Sequence, residues 1–75
     1  MNNIIMHLRH ELEDNRKRLK ELTQTIEEFD VMIKKMQPTD EHYRDVYNMR
    51  ADRIIQKNNT KAAIERLSAA IDANT

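Results

Sequence analysis

Cysteine, glycine and tryptophan are absent from this chain, and proline occurs once. Without cysteine there is neither a disulfide framework nor a thiolate zinc cluster to staple a small fold. That absence suits a reducing cytoplasm, which is the expected location. Without glycine there is no Gly-rich phosphate loop; with no nucleophile beside an evident base and no concave scaffold, no enzyme, cofactor or small-molecule substrate is expected. Aromatic residues make up only 4%, which leaves Phe29, Tyr43, Tyr47 and the methionines as anchors for a partner. The N-terminal apolar run Ile4-Ile5-Met6 is too short for a membrane span or a signal peptide, and Arg9 and Glu11 follow it. Basic and acidic residues number 13 each, so charge bears on partners only through its local distribution.

What the chain does have is a heptad. Ile5, Leu8, Leu12, Leu19, Leu22, Ile26, Phe29, Ile33 and Met36 recur at alternating steps of three and four, and only Asn15 interrupts them. Such a seam reads as a coiled-coil helix that buries one stripe against another helix. The helix is expected over 3–36, capped by Asn2 or Asn3. Gln37 precedes Pro38 and is thereby pushed out of the α region, so a turn is expected over 37–39. Thr39 then caps a second helix over 40–73, with Asp40 and Glu41 in its first turn. A connection this short folds the second helix back antiparallel. The fold class is therefore all-α, a single helical-hairpin domain over 1–75 that dimerises into a coiled coil or four-helix bundle, because 75 residues seldom build a sufficient core alone.

The second helix reads less regularly. Tyr47, Ala51, Ile54 and Asn58 form one stripe, whereas Ile64, Leu67 and Ile71 form another, rotated by more than a quarter turn. The expectation is a continuous helix through Asn58-Asn59, since Asn and Thr are weak helix formers and not breakers. Folding at Pro38 pairs residues whose numbers total about 77, which sets Leu22 against Ile54 and Ile55, Ile5 against Ile71, and Asn15 near Ala62, Lys61 and Asn58. Asn15 and Asn58 thus become candidates for a polar core layer that fixes register, a device known from coiled coils. The plainer account leaves Asn15 near solvent.

Charge is concentrated at mid-rod. Residues 16–20 and 46–61 together carry a band of +7, while residues 21–45 sum to −4. Arg16, Lys17, Lys20, Arg50, Arg53, Lys57 and Lys61 are the candidate phosphate contacts, reading backbone without base specificity because no aromatic interleaves them. The plainer account pairs the charges locally: Glu13 with Lys17, Asp14 with Arg18 and Lys17 with Glu21 stand at i,i+4 spacing. His7 and His10, with Glu11 or Asp14 nearby, make a poor metal site because His42 lies at the other end of the rod.

Apolar residues crowd the turn end on more than one face: Val31, Met32, Ile33, Met36, Tyr43, Val46, Tyr47 and Met49. Phe29, Met32, Met36, Tyr43, Tyr47 and Met49 are the candidate protein-interaction residues. The expected function is a non-enzymatic coiled-coil interaction module, an adaptor, regulator or inhibitor acting as a homodimer on another protein. The alternative is a binder of structured RNA or DNA through the basic band. A second copy or another protein ranks ahead of nucleic acid as partner, and no membrane is expected.

Overall fold

The computed structural model describes residues 3–75 and shows two helices, α1 (Asn3–Lys35) and α2 (Tyr43–Ala73), packed side by side as an antiparallel hairpin. The rod measures 59 × 14 × 13 Å, close to the roughly 50 Å expected for a helix of this length with a turn added. The cap expected at Asn2 lies outside the described residues. On α1 every heptad position from Ile5 to Ile33 is buried or half-buried, with Leu12, Leu22 and Ile26 the deepest.

Helix α2 is continuous through Asn58-Asn59. Its seam, however, is not the one the apolar residues trace. The positions withheld from solvent at heptad spacing are Tyr43, Val46, Arg50, Arg53, Lys57, Thr60, Ile64, Leu67 and Ile71. This is one unbroken stripe whose middle is cationic and polar, so the expected split into two rotated stripes is corrected. Tyr47, Ala51, Ile55 and Asn58 are exposed. Ile55 therefore does not cover Leu22; at the heights of Leu22 and Ile26 the shielded residues of α2 are Arg50, Arg53, Ile54, Gln56 and Lys57. Arginine and lysine can serve this purpose because their aliphatic stems lie along apolar surface while the charge stays in water.

The register agrees with folding at Pro38. Two interhelical hydrogen bonds, Arg18 to Gln56 and Arg50 to Asp30, bracket the expected pairing on either side. The connection is longer than expected. Helix α1 ends at Lys35, one residue early, and α2 begins at Tyr43, three residues late. Between them two β-turns follow one another: Asp40 N–H donates to Gln37 O (2.9 Å) across Pro38-Thr39, and Tyr43 N–H donates to Asp40 O (3.1 Å). Pro38 takes the second position of the first turn, where its fixed φ is favourable. The Asp40 carboxylate accepts from Gln37 N–H at 2.8 Å, so Asp40 closes the loop instead of sitting in the first turn of α2. Thr39 is consequently not the cap; that position falls to His42, whose side chain makes no capping bond. A side chain that bonds its own loop competes with helix extension, and here the loop wins.

Weak helix formers inside the helices bond back to the preceding turn. Thr23, Thr25 and Thr60 hydroxyls donate to the carbonyls of Leu19, Glu21 and Gln56, and Asn15 Nδ2 donates to Glu11 O, all at 2.8–2.9 Å. No side chain is fully buried among the described residues.

Candidate interaction surface

The two long sides of the rod differ, and the difference follows from the heptad. On one side Asp30, Ile33, Lys34, Tyr47 and Arg50 line a common groove. Residues two heptads earlier on α1, Arg16, Leu19 and Lys20, line the next groove along with Thr23, Gln24 and Glu27. On α2, Lys57 stands one heptad beyond Arg50 and Lys61 two heptads beyond Tyr47, so both rise on this same side. On the other side Asn15, Arg18, Gln56, Asn59, Thr60 and Ala63 form a polar cleft. Met32 stands two heptads beyond Arg18 and Met49 one heptad before Gln56, which puts both methionines on that second side.

The structure therefore divides the sequence-derived interaction set. Phe29, Met36 and Tyr43 are half-buried and belong to the hairpin's own seam, whereas Met32, Tyr47 and Met49 are exposed by 46%, 48% and 47%. Tyr43 and Tyr47 approach each other with ring centroids 5.9 Å apart. Val31 is also exposed, and Ile4 and Met6 expose apolar surface at the opposite end. The turn end thus presents a methionine pair on one side and Tyr47 on the other.

The expected polar layer is corrected in one member. Asn15 is half-buried in the α1 seam and satisfies its amide within its own helix. It shares its cleft with Thr60 and Asn59, while Asn58 faces solvent. Thr60, the one buried polar residue among the described residues, takes the place assigned to Asn58. Nothing in the spacing of apolar residues marks Thr60; only the full heptad from Tyr43 to Ile71 does.

The basic band sorts into engaged and unengaged cations. Arg50 Nε donates to Asp30 across the helices. Arg53 Nη1 donates to Asp52 at 2.9 Å, Gln56 Nε2 donates to the same carboxylate oxygen at 2.8 Å, and Arg18 Nη2 donates to Gln56 Oε1 at 3.2 Å. The remaining contacts within salt-bridge distance among the described residues join His7 to Glu11 and His42 to Asp45. The local pairs Glu13 with Lys17, Asp14 with Arg18 and Lys17 with Glu21 do not form, so Arg16, Lys17, Lys20, Lys57 and Lys61 have no carboxylate within salt-bridge distance. Among the described residues no group of three or more metal-ligating side chains comes together, and no helix is long and apolar enough to cross a membrane. Comparison with protein-family models, with curated proteins and with solved structures finds no match.

Proposed function

We infer that the hairpin is a non-enzymatic protein-interaction module that works by packing helix against helix, and that its partner at the turn end is a second copy of the same chain. The observation that carries this reading is the apolar surface left open on one side there: Met32 and Met49 are about half exposed in a hairpin with no fully buried side chain among the described residues. Two helices present too little surface to each other to cover a heptad core and these residues as well. A second hairpin laid over the Met32 and Met49 side supplies the missing layer and gives a four-helix arrangement. Methionine suits such a contact because its unbranched, polarisable side chain fills irregular gaps. The absence of cysteine and of a membrane-crossing helix among the described residues fits action in a reducing cytoplasm. As a dimer the protein would serve as an adaptor, regulator or inhibitor of another protein.

The test is the solution mass by light scattering on a sizing column at physiological salt. Twice the chain mass of 9.0 kDa is expected for the native chain, and the single-chain mass for the double variant Met32→Glu with Met49→Glu. A native chain that stays at 9.0 kDa across the accessible concentrations overturns the reading, as does an undiminished dimer in the variant.

A further inference from the structure

The side of the rod opposite Met32 and Met49 carries a cluster with a different chemistry. At mid-rod Arg16 and Lys20 project from one helix, Lys57 and Lys61 from the other, and their numbers match the hairpin pairing: Arg16 lies level with Lys61, Lys20 with Lys57. The four make a quadrilateral about one helical turn, or roughly 6 Å, along the rod and roughly 8–10 Å across it. Arg16 and Lys20 line an open groove of about 570 Å³ on α1 together with Leu19, and Lys57 and Lys61 stand on α2 at the matching heights. None of the four has a carboxylate partner among the described residues. Of the band's other cations, Arg50 is occupied by Asp30, Arg53 by Asp52 and Arg18 by Gln56, while Lys17, beside Arg16 on α1, has no carboxylate partner either. Glu27 lines the groove toward the turn, and Glu13, two heptads before it, stands at the corresponding place toward the termini. The positive patch is therefore short and bounded, unlike a generally basic surface.

We propose that this face of the waist binds duplex nucleic acid along its phosphate backbone, with Arg16, Lys20, Lys57 and Lys61 as the contacts. Four unneutralised cations within one helical turn match the roughly three to four phosphate charges that a duplex presents over the same length of axis. No aromatic side chain stands among them, so bases cannot be stacked and a single strand gains nothing over a duplex. No side chain with a base-reading geometry is held there either, and binding is consequently independent of sequence. The surface used by a second hairpin at the turn end lies on the other side, so self-association and phosphate binding fail or succeed separately.

Fluorescence anisotropy of a labelled mixed-sequence duplex of about 20 base pairs, titrated with the full chain over a range of salt, decides the matter; four phosphate contacts predict a slope of log affinity against log salt near about −3.6. Arg16→Gln with Lys20→Gln, both on exposed positions, removes about half of that slope. So does Lys57→Met with Lys61→Gln, in which methionine keeps the apolar stem that the seam needs. Arg18→Gln with Arg66→Gln leaves the slope unchanged, because Arg18 lines the cleft on the opposite side and Arg66 stands one heptad beyond Asn59 of that same cleft. Helicity by circular dichroism accompanies each variant. Absence of binding at low salt, equal losses in the opposite-side control, or competition by polyglutamate as strong as by unlabelled duplex at equal charge would each overturn the assignment.

Discussion

Asp30 on α1 accepts a hydrogen bond from Arg50 Nε on α2, the one interhelical ion pair among the described residues. Arg50 occupies a seam position and is shielded over most of its side chain, while Asp30 is more open, with 29% and 43% of the side chains exposed. A carboxylate beside the seam thus gives the guanidinium a defined exit from an otherwise apolar stripe. Together with the Arg18 to Gln56 bond on the opposite side, it pins the two helices at one register.

Because the pair is partly exposed, its worth is that of a favourable surface pair and not of a buried one. Asp30→Asn is expected to lower stability by about 0.5 to 1 kcal/mol, or roughly 2–8 °C in Tm for a domain of this size. A double-mutant cycle with Arg50→Met isolates the coupling. A coupling energy of zero in thermal denaturation would show that Arg50 acts only through its stem.

Lys57 separates stem from charge more sharply, since no carboxylate lies within salt-bridge distance of it among the described residues and yet it is half-buried. If its methylenes cover the α1 seam near Leu19 and Leu22, Lys57→Met keeps or slightly raises Tm. Lys57→Ser uncovers apolar area and costs about 1 kcal/mol. Equal Tm values for the two variants would mean that the stem contributes no cover.

These cations also explain how much could be read from residues alone. The α1 seam was legible because every member but Asn15 is apolar, and the position and sense of the fold-back followed from Pro38. The α2 seam was hidden because burial along that helix does not follow hydrophobicity. Arg50, Arg53, Lys57 and Thr60 are polar by composition but shielded by position, while Tyr47, Ala51 and Ile55 are the reverse. A period of seven counted without regard to residue type, from Tyr43 to Ile71, recovers the true stripe. The candidate surface was legible in part for a related reason: the band and the turn-end methionines were visible as residues, but their separation onto opposite sides depends on the α2 phase that the hidden seam sets.

The start of α2 depends on a different bond. Asp40 both donates its N–H to Gln37 O and accepts from Gln37 N–H through its carboxylate, which holds the turn shut over Pro38. Asp40→Ala leaves the Gln37 N–H to solvent and frees the turn, a loss of about 0.5 to 1 kcal/mol comparable with the removal of a helix cap. Asp40→Asn, which retains an acceptor, loses less. Chemical denaturation of the two variants beside the parent ranks them. Indistinguishable midpoints for Asp40→Ala and the parent would show that the backbone turn suffices.

Asn15 and Thr60 line one cleft between the helices, yet neither amide nor hydroxyl reaches across; each donates to its own helix, to Glu11 O and Gln56 O. A polar layer whose members bond locally adds nothing direct to the cohesion of the hairpin and occupies seam positions that apolar groups would fill better. Thr60→Val exchanges a hydroxyl for a methyl at a buried site without a change in shape, and the carbonyl of Gln56 keeps its helical bond. A gain of about 0.5 to 1 kcal/mol is expected. Asn15→Leu completes the α1 seam and adds a similar or larger increment. If the polar layer also enforces alignment, the gain comes with a loss of uniqueness, because a fully apolar seam tolerates a shift of one heptad that would otherwise place Asn15 or Thr60 against a leucine. The double variant Asn15→Leu with Thr60→Val should then be more heat-resistant than the parent but show broadened amide resonances or mixed masses by light scattering. A double variant that is both more stable and uniformly aligned would assign register to the Asp30 to Arg50 and Arg18 to Gln56 bonds alone.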